Sequence, residues 1–65
     1  SNIEGYGYDS KKKQLWVAFK NNRVYRYDGV PYEVCNGLHL AESKGKYLGE
    51  HIKNKFKTTG YELRN

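Results

Sequence analysis

The stretch from Gln14 to Lys20 constrains the fold more than any other part of the chain, because its side chains alternate in character. The large apolar residues at every second position are Leu15, Val17 and Phe19. This period of two predicts a β-strand with one face toward a core. Trp16 and Ala18 are then expected on the opposite face of the same strand.

A second strand follows and is expected to pair with the first. Asn21-Asn22 predicts a two-residue hairpin loop, because Asn tolerates the positive φ that a type I′ turn requires. The segment from Arg23 to Asp28 then alternates again. Its two predicted faces are Tyr25 and Tyr27 on one side, and Val24 and Arg26 on the other.

An earlier strand is predicted over Ile3 to Tyr8, where tyrosines occupy alternate positions. Asp9-Ser10 indicates a turn, and Lys11-Lys12-Lys13 are expected at the tip of the loop. The first half of the chain therefore predicts a three-stranded antiparallel meander.

The period changes at Pro31, a residue that suits the first turn of a helix. Apolar residues then recur at helical spacing in two groups: Val34, Leu38 and Ala41, followed by Leu48, Ile52 and Phe56. Ser43 is predicted to be the N-cap of the second helix, and Thr58-Thr59-Gly60 is expected to end it. Tyr61-Glu62-Leu63 form either a short added strand or a tail. We predict one α+β domain over residues 1–65, ordered β-β-β-α-α, with both helices packed on one sheet face.

The small size of the chain suggests that it associates with copies of itself. Folding 65 residues buries only about 60% of the chain's surface. Cys35 is the one cysteine, so no internal disulfide can form, and two histidines with one cysteine make a poor zinc site. We therefore expect a homo-oligomer without a bound metal.

The longest uncharged apolar run, Leu15 to Phe19, is far shorter than the ~20 residues of a membrane-spanning helix. We expect no membrane association and no signal peptide. An unpaired cysteine fits a reducing cytoplasm, which is the host cytoplasm if the chain is phage-encoded. The chain lacks methionine, so Ser1 is interpreted as a cut end or a cloning remnant.

The residues do not suggest an enzyme. Cys35 and His39 are spaced to share a helical edge, but a small half-buried thiol and a surface imidazole explain them better. The seven acidic residues are scattered rather than paired. We predict neither catalytic residues nor a cofactor.

A basic segment contains the first candidate site. Between Lys44 and Lys57, five lysines accompany one acid, Glu50. The start of the second predicted helix offers free N–H groups to an anion, and the residues expected there are Ser43, Lys44, Gly45 and Lys46. The alternative is that Ser43 and Gly45 only cap the helix and turn the chain.

The sheet face away from the helices is the second candidate site. It is expected to carry Trp16, Ala18, Val24 and Arg26, and an exposed tryptophan beside arginine needs an explanation. The face is either a stacking platform for bases or a subunit interface, and both roles can coexist. We predict base stacking by Trp16, Tyr8 or Tyr47, with Arg26 neutralising phosphate.

The chain resembles the KTSC domain family, named for its occurrence at the C-terminus of some lysyl-tRNA synthetases. The resemblance runs from about Ile3 to Lys57. The residues that carry it are Gly7-Tyr8-Asp9, the Leu15/Val17/Phe19 strand, Val24-Tyr25-Arg26-Tyr27, Gly29-Val30-Pro31, Val34, Leu38, Ala41-Glu42-Ser43-Lys44-Gly45-Lys46-Tyr47 and Ile52-Lys53. It implies a small α+β domain without catalytic activity, found free-standing in bacteria and phages or appended to larger enzymes.

Three functional hypotheses follow. The first is a non-enzymatic nucleotide binder, most concretely an oligomeric phage-type sponge that sequesters a cyclic oligonucleotide immune signal. The second is an RNA-binding accessory domain, as the synthetase context suggests. The third is a protein-interaction module that uses the Trp16/Val24 patch.

Overall fold

A computed structural model describes residues 2–63, so the interpretation of Ser1 lies outside the described part of the chain. The elements are strands β1 (Ile3–Asp9), β2 (Gln14–Phe19) and β3 (Arg23–Asp28), helices α1 (Tyr32–Leu40) and α2 (Lys44–His51), and strand β4 (Lys57–Glu62). The four strands form one antiparallel sheet in the order β1-β2-β3-β4. The predicted β-β-β-α-α order is confirmed, and β4 completes it.

The strand register divides the sheet into two faces as the alternation predicted. Leu15 lies opposite Tyr27, and Val17 lies opposite Tyr25, on the face toward the helices, which we call the covered face. The other face, which we call the open face, has eight central positions. They are Gly5, Gly7, Trp16, Ala18, Val24, Arg26, Thr59 and Tyr61.

One core lies between the covered face and the two helices. Its buried residues are Leu15, Val17, Tyr27, Val30, Cys35, Leu38, Leu48 and Ile52. Fully burying an aliphatic side chain stabilises a fold by about 1.5–3 kcal/mol. The apolar stripes of α1 and α2 therefore supply the burial that the sheet alone lacks.

The hairpin between β2 and β3 differs from the prediction. Phe19 pairs with Arg23, which leaves a three-residue loop of Lys20, Asn21 and Asn22 instead of a two-residue one. Asn22 has a φ of 63°, whereas Asn21 is not left-handed. A type I′ turn needs positive φ at both central residues, so this loop is of the longer kind with one left-handed residue.

The two helix starts match the sequence signals closely. Pro31 is the N-cap of α1 rather than its first residue. Ser43 is the N-cap of α2, and its hydroxyl accepts the Lys46 N–H at 3.3 Å. The serine therefore satisfies one of the N–H groups that a helix start leaves unpaired.

The end of α2 was predicted wrongly. The helix stops at His51 and Ile52 is its C-cap, so Phe56 lies outside the helix and reaches the core from the segment that follows. Asn54, with a φ of 64°, helps to reverse the chain. The Thr58-Thr59-Gly60 segment does not end a helix, because it lies inside β4 and pairs with β3. The predicted short strand at Tyr61 thus begins four residues earlier.

Candidate functional site

The open face presents a pair of stacked aromatic rings. Trp16 and Tyr61 are 37% and 41% exposed. Their ring centroids are 5.8 Å apart with an interplanar angle of 22°. Trp16 comes from β2 and Tyr61 from β4, so the pair spans β3. The sequence placed Trp16 on this face but missed Tyr61, whose position depends on the β3–β4 register.

Arg26 lies beside this pair and is fixed by its neighbours. Its Nε donates to Asp28 at 2.9 Å, and one Nη donates to Asp28 at 3.3 Å. Further donors reach the Thr59 and Tyr61 hydroxyls at 3.4 and 3.3 Å. The guanidinium carbon lies 5.8 Å from the centre of the Trp16 ring, within cation–π range. Arg26 therefore stiffens the aromatic pair, while Asp28 offsets its charge.

The β1 side of the open face has almost no side chains. Gly7 pairs with Trp16, and Gly5 pairs with Ala18. A Cβ built at Gly5 or Gly7 would meet nothing within 4 Å. Glycine weakens a strand and often marks a place where a ligand or another backbone approaches closely. The surface next to Trp16 is therefore flat and open.

The predicted phosphate site at α2 is largely used by the chain itself. The Ser43 hydroxyl caps the helix. Lys44, predicted to bind an anion, is half-buried, and its Nζ donates to the carbonyls of His39 and Ala41 at 3.2 and 3.3 Å. Lys46 is exposed at the surface, and Gly45 lines a groove against the covered face.

Two of the three predicted stacking residues are bonded inside the fold. The Tyr8 hydroxyl donates to the Val30 carbonyl at 2.7 Å. The Tyr47 hydroxyl donates to the Val34 carbonyl at 3.1 Å. Desolvation, with a smaller contribution from Cys35, raises the pKa of Tyr8, which keeps it a neutral donor. These contacts give both tyrosines a role in packing.

The predicted site residues thus lie in separate places within one chain. Trp16 and Arg26 lie together on the open face, whereas Ser43 to Lys46 and Tyr47 lie on the helix side of the sheet. The lysines of the basic segment also lie on different surfaces. Lys57 faces Asp28 across the β3–β4 ladder, and Lys53 lines the groove beside α2.

The proposed helical neighbours Cys35 and His39 have different environments. Burial raises the pKa of the Cys35 thiol, which disfavours the nucleophilic thiolate. His39 Nδ1 lies 2.6 Å from the Tyr6 hydroxyl. Over residues 2–63, no group of three or more His, Cys, Asp or Glu side chains could hold a metal ion. No helix in this range is long and apolar enough to cross a membrane.

Sequence comparisons find relatives of two kinds. Lysine–tRNA ligase from Trichormus variabilis is 42% identical over 55 residues, which is 85% of this chain and 10% of that enzyme. An uncharacterized protein from Stutzerimonas stutzeri is 38% identical over 61 residues, which is 94% of this chain and 80% of that protein. This chain therefore spans about a tenth of the ligase but most of the small relative.

Structural comparison gives the same relationship. A crystal structure of a KTSC domain protein from Yersinia pestis superposes with a TM-score of 0.88 at 31% identity. The match covers 98% of this chain and 87% of that one. The KTSC domain family model matches residues 1–56, which extend from before β1 to the turn that precedes β4. The chain belongs to the KTSC domain family.

Proposed function

We propose that this domain is a non-enzymatic RNA-binding module that holds single-stranded RNA on its open face. The observation that carries the proposal is the exposed Trp16–Tyr61 stack with Arg26 fixed beside it. Aromatic rings displayed on a sheet are a common surface for stacking bases, and each stacked base contributes about 1–3 kcal/mol to binding.

The flat surface around Trp16 supports stacking. The positions beside the indole ring on β1 and β2 carry small side chains or none, and they are Gly5, Gly7 and Ala18. A base that stacks on Trp16 can extend over this area without displacing a side chain. Val24, opposite Ala18 in the next strand, adds apolar contact.

The charges near the open face suit a nucleic-acid backbone. Arg26 is paired with Asp28, so phosphate contacts must come mainly from lysines. Lys11, Lys12 and Lys13 form the exposed β1–β2 loop, and Lys57 lies on the edge strand β4. The chain as a whole carries a formal charge of +5. The lysine–tRNA ligase relatives contain this domain as a small part of a much longer chain, which fits an accessory RNA contact.

The cyclic-oligonucleotide sponge stays a prediction. It requires Trp16 and the Ser43–Lys46 segment in one site, and these lie on opposite sides of the sheet within one chain. A contact between subunits would have to bring them together, so the sponge depends on the predicted homo-oligomer. Light scattering measures that association directly. Saturation by a cyclic dinucleotide at a whole-number ratio per oligomer, without binding of linear RNA, would favour the sponge over the RNA module.

Trp16 is the one tryptophan of the chain, so its fluorescence reports on the proposed site directly. We expect single-stranded RNA to quench this fluorescence and to gain anisotropy when labelled. Tyr61→Ala should weaken binding about 5- to 150-fold, the equivalent of one lost stack. Tyr61→Phe keeps the ring and should bind nearly as well as the wild type.

A matched control is Tyr32→Ala, because Tyr32 is an exposed aromatic residue on α1, away from the open face. Changing Lys11, Lys12 and Lys13 to Gln should make RNA affinity less sensitive to salt. The slope of the logarithm of the binding constant against the logarithm of salt concentration should fall by about 0.7 for each RNA phosphate that these lysines no longer neutralise. Equal RNA affinity for Tyr61→Ala, Tyr32→Ala and the wild type would refute the proposed surface.

A further inference from the structure

A groove lies between α2 and the covered face, on the opposite side of the sheet from the proposed RNA surface. Its volume is about 650 Å³, within the range of about 300–1,000 Å³ typical of small-molecule sites. Phe19 and Tyr25 form an aromatic wall, with ring centroids 5.5 Å apart and nearly perpendicular planes. The Tyr25 ring can lie there because β4 has Gly60 beneath it, where a Cβ would come within 2.8 Å of the ring.

The Tyr27 hydroxyl points to a ligand in this groove. Tyr27 lines the groove and is only 4% exposed. Its hydroxyl has no hydrogen-bond partner within residues 2–63. No side-chain oxygen or nitrogen in that range is both sealed from solvent and unpaired, so the Tyr27 oxygen must reach the groove. The hydroxyl is therefore free to donate into the groove, and a ligand that accepts from it would replace water there with a hydrogen bond to the chain.

The residues of α2 that line the groove are Leu48 and two glycines, Gly45 and Gly49. Gly49 lines the groove from the interior of α2, and a Cβ built there would meet nothing within 4 Å. Glycine inside a helix costs about 0.5–1 kcal/mol relative to alanine. The groove thus has aromatic rings and a glycine of α2 among its lining residues, a combination that suits a flat ring, and we call this part of the groove the slot.

The polar residues around the slot suit a heterocycle with a negative charge. Amides at Asn2, Asn21 and Asn54 offer both donors and acceptors to the edge of a ring. Lys53 also lines the groove and has no ion-pair partner in the described part of the chain. None of the described lining residues is acidic.

We propose that this groove binds a nucleoside monophosphate, with the base between the Phe19/Tyr25 wall and Gly49, the Tyr27 hydroxyl donating to it, and Lys53 on the phosphate. The proposal does not depend on RNA binding by the open face. A free mononucleotide and the phosphorylated end of an RNA strand carry the same chemistry.

The test is titration of the isotope-labelled chain with the four nucleoside 5′-monophosphates, followed by NMR. Inorganic phosphate and the matching nucleosides serve as partial ligands. We expect saturable shifts at Phe19, Tyr25 and Leu48 and weaker binding of either partial ligand. Tyr27→Phe should weaken binding about 2- to 10-fold without lowering Tm, because the hydroxyl has no partner in the chain to lose. Lys53→Gln should also weaken binding, whereas Lys55→Gln removes the same charge outside the groove and should not.

Gly49→Val is the blocking variant, because Gly49 lines the groove and a Cβ there would meet no atom of the chain within 4 Å. We expect binding to fall at least tenfold with the fold intact. To separate the two sources, Trp16→Ala is titrated with short RNA with and without a 5′-phosphate. If RNA with a 5′-phosphate shifts the Phe19 signal and RNA without it does not, the groove binds the phosphorylated ends of RNA strands. If only the mononucleotides shift this signal, the groove binds free nucleotides. No groove shifts with any of these ligands, or full binding by Gly49→Val, would overturn the proposal and leave the open face untouched.

Discussion

Replacing Gly37 with alanine should destabilise the fold, although alanine is the better helix former. Gly37 lies inside α1, where the Tyr47 side chain of α2 crosses it. A Cβ at Gly37 would lie 2.1 Å from the Tyr47 hydroxyl and 2.7 Å from Cζ of its ring. The Tyr47 ring cannot move freely, because its hydroxyl donates to Val34 and its ring packs 4.5 Å from that of His51.

The magnitude follows from three opposing contributions. Overpacking a fitted contact costs about 1–3 kcal/mol, and loss of the Tyr47–Val34 hydrogen bond costs about 0.5–1.5 kcal/mol. The gain in helix propensity offsets about 0.5–1 kcal/mol. The net expectation for Gly37→Ala is a loss of about 2 kcal/mol, which lowers Tm by about 8–16 °C in a domain of this size.

Gly49→Ala is the matched control, since Gly49 is also inside a helix but its Cβ would meet open space. It should raise stability by about 0.5–1 kcal/mol. Thermal and urea unfolding followed by circular dichroism measure both variants. In a Tyr47→Leu background, Gly37→Ala should change sign and become stabilising. If Gly37→Ala is as stable as Gly49→Ala in the wild-type background, Tyr47 moves aside at little cost and the reasoning is wrong.

Two further predictions concern pH and the α1–α2 junction. Burial raises the pKa of Cys35 above its ordinary 9.0 and the pKa of Tyr27 above its ordinary 10.0, so the unfolded chain loses these protons first. The contribution of these two groups to the free energy of unfolding should therefore be constant below about pH 9. It should fall as the pH rises through the raised pKa of Cys35 and then through that of Tyr27. Urea unfolding at a series of pH values measures this fall, and Cys35→Ala should remove its earlier part. Lys44→Ala should cost about 1 kcal/mol, because it removes hydrogen bonds to the carbonyls of His39 in α1 and of Ala41, the C-cap of α1. Lys46→Ala should cost nothing measurable. Equal stability of the two variants would contradict the capping role of Lys44.

The strand faces could be predicted from the sequence because alternation is a local property. Leu15 and Val17 face the core, and Trp16 and Arg26 face away, whatever the rest of the chain does. The same local reasoning failed at Phe56, because its spacing from Leu48 and Ile52 also fits a helix. Pairing with β3 decides that region, and such a long-range contact leaves no periodic signal.

The candidate site was predicted in part for a related reason. Residue type and strand face identified Trp16 and Arg26, but Tyr61 stacks on Trp16 only through the β3–β4 register. At α2, the sequence offered two interpretations of Ser43, and its hydroxyl is bonded as the N-cap. Lys44 bonds the carbonyls of His39 and Ala41 because of the angle at which the two helices meet. The spacing of residues in the sequence does not predict that angle.

Both proposed surfaces contain glycines that internal packing does not explain. At Gly37 and Gly60 the missing side chain makes room for a tyrosine ring of the same chain, so internal packing explains them. At Gly5, Gly7 and Gly49 a Cβ would meet nothing within 4 Å, yet each lies in a regular element where glycine costs about 0.5–1 kcal/mol. Internal packing gives no reason for that cost in so small a domain. The three lie beside Trp16 and along the α2 groove, the two places where a ligand would need close access to backbone.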